Sequence, residues 1–293
     1  MLKSEVFKMI LFSFQTIFGS IWNLLIWLVN IYSMVKDLSF NPLVLIVSHL
    51  AFANILSLLS RGLPRLMRIF VVSDFVNETT CAVIIYIYRI TRAHSITTTC
   101  TLTVYQMVTI SPSTSLWIHL KAAITLHIKH IIAILCLIEM AIYFPVILPS
   151  KYENTTASFV ALNTGFCQTP PTSLHHTAVY LVISSVCEFL IVILMMFSSG
   201  YILLILRKHS KQMKYFRFPS RISADAKAAK SVIQLLALYI IFFLLDIACM
   251  IYGAVSQELS VDLTDIRIIL SSCYASFSPF IIMRYRIKVT KPG

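Results

Sequence analysis

Long runs of apolar residues without an ionic side chain dominate the hydrophobic pattern of this chain. Residues 9–35 contain no Asp, Glu, Lys or Arg, and neither do residues 38–60. An α-helix needs about 20 apolar residues to cross the roughly 30 Å hydrocarbon core of a bilayer. Both runs therefore predict membrane-spanning helices, because the strands of a membrane barrel alternate apolar and polar residues over only about ten positions.

Five further apolar stretches, each interrupted by at most two charges, follow along the chain. The pattern predicts an all-α membrane protein, in which one seven-helix bundle occupies residues 1–293. The first helix is expected to be retained, since its apolar run is too long for a signal peptide and lacks a small-residue cleavage site. The predicted helices cover residues 9–31, 42–60, 81–110, 128–148, 177–206, 231–255 and 264–283.

Composition strengthens the membrane prediction. Hydrophobic residues make up 58% of the chain and charged residues only 12%, whereas a soluble domain carries about a quarter charged residues. So few ionic groups cannot cover a water-facing surface, and most of the exterior is expected to face lipid. The formal net charge of +12 is typical of membrane topology and of contact with anionic headgroups, and no nucleic-acid partner is expected.

The distribution of Lys and Arg predicts the orientation. The connections on one side of the predicted bundle hold six of these residues, namely Lys3, Lys8, Arg61, Arg65, Arg68 and Lys151. The connections on the other side hold fifteen, and eight of them lie in residues 207–230. Because basic connections stay in the cytoplasm, we expect an extracellular N-terminus and a cytoplasmic C-terminus.

The predicted outer connections carry two features of extracellular segments. Asn77 and Asn154 each begin an Asn-x-Thr sequon, so both are candidate glycosylation sites. Of the seven cysteines, only Cys81 and Cys167 lie outside the apolar interior of the predicted helices. On an oxidising exterior these two are expected to form a disulfide that fixes the second outer connection across the bundle mouth.

No catalytic motif accompanies this architecture. The chain lacks a His-Glu-x-x-His zinc pattern, a Gly-rich phosphate loop and a Gly-x-Ser-x-Gly elbow, so we expect no enzyme, catalytic residue, metal or cofactor. A transporter or channel is the remaining rival, because many are helical bundles with ionisable residues at mid-depth. Seven spans do not divide into two equal repeats, and with only six glycines the organisation favours a receptor.

A family resemblance follows from several strings in order along the chain. YRITR at residues 88–92 and YQMVTISPS at residues 105–113 closely resemble the third-helix signature of vomeronasal type-1 receptors. HLAFAN at residues 49–54 and LSRGLP at residues 59–64 resemble the second helix and its exit, KSV at residues 230–232 the start of the sixth helix, and SPF at residues 278–280 the end of the seventh. The resemblance extends from Phe14 to Met283.

The resemblance implies a pheromone receptor that signals through an inhibitory-type heterotrimeric G protein at the plasma membrane of sensory neurons. The rhodopsin-like receptors carry Asp-Arg-Tyr at the inner end of the third helix, where this chain has YQM at residues 105–107. An ionic lock of that kind is therefore absent, and Asn54 stands where a sodium-binding Asp is usual. Bitter-taste receptors are the nearest alternative family, but TISP at residues 109–112 favours the vomeronasal resemblance.

The intramembrane charges are the first candidates for a ligand site. Arg89, Glu139, Glu188 and Asp246 all lie roughly 12 to 17 Å below the outer helix ends at 1.5 Å per residue. A charge at this depth is costly unless it faces the bundle interior and finds a partner. Arg89 and Arg92 share a face of the third helix, and we expect them to pair with Glu188 or Asp246. Ligand contact and structural ion pairing both remain open for these residues.

Two aromatic residues and three inner residues complete the candidates. Tyr86 and Phe166 lie near the predicted outer mouth and are candidates to line a ligand cavity, although aromatic residues there often serve as packing or interface anchors. Gln106, Ser111 and Lys230 lie near the predicted cytoplasmic ends of the third and sixth helices and are expected to face the G protein. Asn23 and Asn54 are expected to bridge the first, second and seventh helices near Ser278.

Overall fold

Seven α-helices make up most of the described part of the chain. The computed structural model describes residues 2–36, 41–69, 78–112, 114–147, 174–213, 221–256 and 261–290. The helices are α1 (Leu2–Lys36), α2 (Pro42–Ile69), α3 (Glu78–Ile110), α4 (Ser115–Tyr143), α5 (Leu174–Met213), α6 (Arg221–Ser256) and α7 (Val261–Thr290). A 3-10 turn, Phe144–Val146, follows α4 where Pro145 ends the α-helical hydrogen bonding. The described residues contain no strand, so the predicted seven-helix architecture is confirmed.

Six of the described helices are long and apolar enough to cross a membrane: Met9–Lys36, Pro42–Gly62, Trp117–Tyr143, Val182–Lys208, Lys230–Cys249 and Ile266–Met283. Large apolar side chains on α1, α4, α5 and α6 remain exposed, among them Phe14, Leu126, Phe197 and Leu244. In a water-soluble bundle such a surface would be unstable. Here it is the surface that faces lipid.

Helix α3 is not among the six helices that are apolar enough to cross a membrane, because it is too polar. It contacts α2, α4, α5 and α6, and all residues from 93 to 100 are buried. A helix enclosed by other helices needs no apolar surface for lipid. Six of its threonines donate to carbonyls one turn earlier, as Thr99 and Thr103 do at 2.8 Å, so these hydroxyls carry no unsatisfied donors.

Several helices continue beyond their predicted ends. Helix α2 was expected to end at residue 60, before Gly62 and Pro64, yet it continues to Ile69. Gly62 serves close packing, since a Cβ there would overlap the side chain of Thr16 on α1. Arg61 therefore lies inside a helix and not in an outer connection. Helix α4 starts at Ser115, well before the predicted residue 128, and α5 and α6 extend into the basic segment between them.

A polar network joins α1, α2, α3 and α7 at the centre of the bundle. Pro279 lacks an N–H, so the carbonyl of Ala275 receives no helical hydrogen bond from it. The amide of Asn23 donates to that carbonyl at 2.9 Å. The amide of Asn54 donates to Asn23 Oδ1 at 3.2 Å and to Ser278 Oγ at 3.0 Å, which confirms the predicted bridge. Ser95 on α3 adds a donor to Asn54 Oδ1 at 2.6 Å.

We expect Gly19→Ala to lower the free energy of unfolding by about 1–3 kcal/mol, the usual cost of overpacking. A Cβ at Gly19 would lie 2.8 Å from Ser276 Oγ and 2.9 Å from Ser276 Cα, and the backbone of α7 cannot move aside locally. Gly200→Ala is the matched control, because a Cβ there meets nothing within 4 Å. Thermal unfolding of the purified variants tests this, and equal stability of the two would contradict the close approach of α1 and α7.

Candidate functional site

An ionic bridge connects α3, α5, α6 and α7 inside the bundle. Arg92 Nη2 lies 3.8 Å from Glu188 Oε2 and 4.0 Å from Asp246 Oδ2. Asp246 also accepts a hydrogen bond at 3.2 Å from Nε of Arg267 on α7. Two cations and two carboxylates thus alternate across four helices. At this depth each charge would be costly alone, so the four groups hold one another in place.

A cavity opens beside this bridge. The space between its walls is about 440 Å³, most of which is open solvent at the mouth, and both Arg92 and Asp246 line it. Its wall is otherwise aromatic, aliphatic and hydroxylic, with contributions from α2, α3, α6 and α7: Ser57, Ser95, Ile96, Tyr239, Phe242, Phe243, Leu270, Ser271, Tyr274 and Ala275. An apolar wall with a few polar groups at one end is typical of a small-molecule site.

Two tyrosines define the aromatic side of the cavity. Tyr239 stacks on Phe243 with ring centroids 5.6 Å apart and meets Tyr274 edge to face at 5.5 Å. The hydroxyl of Tyr274 is hydrogen-bonded to Thr99 on α3. The hydroxyl of Tyr239, in contrast, is buried without a hydrogen-bond partner among the described residues. A buried unsatisfied hydroxyl beside a cavity is available to a ligand.

A second polar cluster lies beside the cavity. Nη1 of Arg61 on α2 donates to Ser271 Oγ at 2.8 Å and to the hydroxyl of Tyr88 on α3. The guanidinium also lies over the Tyr88 ring, 4.4 Å from its centroid, which favours a cation–π interaction. Ser271 lines the cavity as well. The Arg61 cluster therefore adjoins the ligand cavity through a shared serine.

Glu139 belongs to a separate site between α3 and α4. It is only 4% exposed, as expected for an inward-facing charge. Its Oε2 lies 2.8 Å from His94 Nδ1, and Thr97 donates to its Oε1. His94 in turn contacts the ring of His49 on α2, with centroids 6.0 Å apart. Glu139 thus fastens α4 to α3 and does not join the ionic bridge.

The predicted ligand residues divide accordingly. Arg92, Glu188 and Asp246 come together as expected, and the first and last of them line the cavity. Arg89 forms no ion pair with a described residue. Tyr86 is directed to the seam between α3 and α4, where its hydroxyl donates to the carbonyl of Met140 at 3.1 Å, so it lies away from the cavity lining. Phe166 lies outside the described residues.

The predicted outer and inner residues are located only in part. Cys81 is disulfide-bonded, and its predicted partner Cys167 lies outside the described residues, as do Asn77 and Asn154. Of the residues predicted to face the G protein, Gln106 and Ser111 are buried, while Lys230 is exposed. Nζ of Lys121 on α4 donates to the Ser111 carbonyl at 2.8 Å, which satisfies a carbonyl at the α3 C-terminus where a cation is favoured.

Sequence reasoning missed four residues of the site: Arg61, Arg267, Tyr239 and Tyr274. The sequence places Arg61 in a connection because the run without ionic residues ends at Ser60 and residues 59–64 resemble a helix exit. Arg267 is one of the two charges that interrupt the last apolar stretch, and nothing in the local sequence separates it from a lone charge near a helix end. Its position could have been found from depth, because Arg267 near the start of α7 and Asp246 towards the end of α6 lie at the same level. No sequence pattern distinguishes Tyr239 and Tyr274 from the other tyrosines among the 13 in the chain.

Comparisons with known proteins give a consistent result. The model of the vomeronasal organ pheromone receptor family matches residues 6–292. The chain is 34% identical to olfactory receptor class A-like protein 1 of Danio rerio over 282 residues, which is 94% of this chain and 88% of that protein. Identity to vomeronasal type-1 receptor 2 of Homo sapiens is 28% over 247 residues, 82% of this chain and 62% of that protein. Vomeronasal type-1 receptor 50 of Mus musculus is 25% identical over 289 residues, 96% and 92% of the two chains.

Proposed function

The chain belongs to the vomeronasal type-1 pheromone receptor family, and from this premise we propose that it binds a small chemical cue in the cavity beside Arg92 and activates a cytoplasmic heterotrimeric G protein. Family membership makes it a multi-pass chemosensory receptor of the G-protein-coupled type, in place of the bitter-taste alternative. The proposal adds where the ligand binds, how binding is transmitted and which G protein responds. The receptor is proposed to act at the plasma membrane of sensory neurons.

One observation carries the proposal: the cavity is lined by the same Arg92 and Asp246 that connect four helices. A molecule in this cavity contacts the ionic bridge directly. If the ligand binds better to a state in which these helices are arranged differently, its differential affinity shifts the equilibrium toward that state. The free hydroxyl of Tyr239 offers the ligand a hydrogen bond that the described part of the protein does not use.

The inner surface supports the second half of the proposal. Gln106 and Ser111 are buried in this structure, so a G protein reaches them only after the inner ends of neighbouring helices move away from α3. Lys230 on α6 is exposed and is accessible from the start. We propose that the ligand-shifted state opens a cleft at these residues. An inhibitory-type G protein is proposed from family resemblance.

The proposed orientation places the N-terminus, the Cys81–Cys167 disulfide and glycosylated Asn77 and Asn154 outside the cell. In this orientation the ligand cavity opens to the outside of the cell and the basic connections face the cytoplasm. Epitope tags at the two termini of intact cells are expected to be accessible only at the N-terminus. Glycosidase treatment is expected to increase the gel mobility of the wild-type receptor. The double variant Asn77→Gln/Asn154→Gln is expected to show no such change. Tags accessible at both ends would contradict the orientation.

A reconstituted nucleotide-exchange assay tests the function. We expect a panel of volatile and steroid-like compounds to contain at least one that accelerates nucleotide exchange, only when receptor and inhibitory-type G protein are both present. Ser57→Leu, which fills the cavity from α2, is expected to abolish the response to that compound. Ser185→Leu on the exposed face of α5 is the matched control and is expected to respond normally. Substrate flux into vesicles without a G protein would instead favour a transporter.

A further inference from the structure

Helix α4 carries a group of histidines on the side that faces away from the bundle. Ile128 and Ile132 belong to the buried core, and at about 100° per residue His127 and His130 lie on the opposite side of the helix. Both histidines are exposed, and their rings lie side by side with centroids 6.0 Å apart. His119 is exposed on the same side, about two turns earlier. The described helices that contact α4 pack on its other side, so this face is open to the surroundings of the bundle.

The histidine pair lies close to the boundary between hydrocarbon and headgroups. The apolar span Trp117–Tyr143 has 27 residues, which is about 40 Å of helix against roughly 30 Å of hydrocarbon. Glu139 marks the interior, because it contacts His94 at the centre of α3. His130 and His127 lie roughly 14 and 18 Å from Glu139 along the helix axis. Since half of the hydrocarbon thickness is about 15 Å, both rings reach the level of the headgroups.

The same face of α4 also carries apolar side chains. Ile134 and Leu137 are exposed on the side of the histidines that leads into the hydrocarbon, and Leu126, next to His127, is 72% exposed. A surface that combines exposed aliphatic side chains with polar rings suits the boundary between acyl chains and headgroups. Because lipid covers the aliphatic groups, the occupant that meets both parts of this face is a phospholipid.

Charge complementarity identifies the headgroup as anionic. Residues 115–130 of α4 contain no Asp or Glu, and their titratable side chains are all basic: His119, Lys121, His127, Lys129 and His130. Histidine is the side chain that ordinarily changes charge between pH 5 and 8. Two protonated rings one turn apart on a helix repel each other, and an anion between them removes the repulsion. Two charge-assisted hydrogen bonds of about 2.8 Å to one phosphate fit rings at this separation.

We propose that the His127–His130 pair binds the phosphate of an anionic phospholipid and thereby anchors the N-terminal half of α4 to the headgroup layer. The lipid belongs to the leaflet beside the α4 N-terminus, which is the cytoplasmic leaflet in the proposed orientation. Nζ of Lys121 on the same helix donates to the Ser111 carbonyl at the end of α3. A bound headgroup therefore holds a segment that is linked directly to α3. The binding itself requires neither a cavity ligand nor a G protein.

Thermal unfolding of the full-length receptor in nanodiscs tests the proposal. One set of nanodiscs contains phosphatidylcholine alone, and the other contains four parts of phosphatidylcholine to one part of phosphatidylglycerol, whose single negative charge is the same at pH 6 and pH 8. We expect phosphatidylglycerol to raise the unfolding midpoint by a few degrees at pH 6. At pH 8, where histidine side chains are ordinarily neutral, the rise is expected to be less than half as large. An equal rise at both pH values would overturn the proposal, because permanently charged Lys and Arg would then account for it.

Variants locate the effect on α4. His127→Gln/His130→Gln is expected to abolish the additional rise at pH 6 and to leave the midpoint in phosphatidylcholine unchanged, because both side chains are exposed. His130→Gln alone is expected to lose at least half of that rise and serves if the double variant does not fold. Arg207→Gln/Lys208→Gln removes two exposed cations from α5 and is the matched control, which is expected to keep the rise. If this control loses as much as the histidine variant, the lipid acts on the basic surface as a whole and the site is refuted.

Two further measurements exclude other occupants. Inorganic phosphate added to phosphatidylcholine nanodiscs is expected to leave the midpoint unchanged, and a rise equal to that from phosphatidylglycerol would assign the pair to a soluble anion and overturn the lipid site. If phosphatidylglycerol has no effect but His127→Gln/His130→Gln slows nucleotide exchange in phosphatidylcholine, the face contacts the G protein and the proposal is wrong. Stabilisation by phosphatidylglycerol without any nucleotide exchange would uphold the lipid site and contradict only the proposed receptor function.

Discussion

Arg92→Gln is expected to lower the free energy of unfolding by about 3 kcal/mol, the low end of the cost of removing one partner from a buried ion pair, because the side chains of Arg92 and Glu188 are 23% and 21% exposed. The substitution leaves Glu188 without its cation at 3.8 Å, while Asp246 keeps its hydrogen bond from Arg267. A carboxylate left alone at this depth either takes up a proton or draws water into the bundle. Thermal unfolding of the purified receptor and its surface level in cells measure the loss.

Neutralising the stranded carboxylate is the control for this prediction. The double variant Arg92→Gln/Glu188→Gln removes both charges and is expected to recover most of the lost stability, since no unpaired carboxylate is then left at this position. Arg207→Gln removes an exposed cation from α5 and is expected to leave stability within about 0.5 kcal/mol. If the double variant proves less stable than Arg92→Gln alone, Glu188 is stabilised by something other than Arg92.

The position of the ionic bridge bears on how the receptor switches. This chain lacks the acidic and basic residues that form a lock at the inner end of the third helix in the rhodopsin-like receptors. Its charged connections between α3, α5, α6 and α7 lie instead at the level of the cavity. A ligand in the cavity would therefore contact the residues of the ionic bridge directly. In the proposed mechanism, the signal reaches Gln106 and Ser111 through movement of the helices as rigid bodies.

The sequence predicts the helices well, because the length of an apolar run and the depth of a charge within it can both be found by counting residues along the chain. Six helices satisfy the length and hydropathy needed to span a bilayer, and the pairing of Arg92 with Glu188 and Asp246 follows from shared depth. Helix ends are less predictable, because α2 continues past Gly62, and a glycine needed for contact with Thr16 has the same sequence signal as a glycine that ends a helix.

The rotation of each helix accounts for the remaining misses. Glu139 lies at the same depth as the ionic bridge, yet it contacts His94 where α3 and α4 meet. This is because α4 packs against α3 at the periphery of the bundle. Tyr86 is close to Arg89 along the chain, yet its hydroxyl contacts α4 as well. Which face of α3 meets which neighbour depends on the packing of the whole bundle, and no local pattern of residues encodes it.

Asn54→Leu is expected to lower the free energy of unfolding by about 2–4 kcal/mol, because each buried polar group left without a partner costs about 1–3 kcal/mol. Asn54 donates to Asn23 and Ser278 and accepts from Ser95 at 2.6 Å. Leucine has nearly the same shape, so the substitution removes the hydrogen bonds without creating a large cavity. The Ser95 hydroxyl and Asn23 Oδ1 would lose these bonds in the interior of the bundle.

Asn30 provides a matched control within the same bundle. Like Asn54 it is 0% exposed, but neither its amide nitrogen nor its amide oxygen has a hydrogen-bond partner among the described residues. Asn30→Leu therefore removes an unsatisfied polar group and is expected to leave stability unchanged or to raise it. Thermal unfolding of the two variants under identical conditions compares the stability lost when a hydrogen-bonded buried amide is replaced with the stability lost when an unbonded one is replaced. Equal destabilisation by both substitutions would mean that shape, and not the hydrogen bonds between α1, α2, α3 and α7, makes Asn54 important.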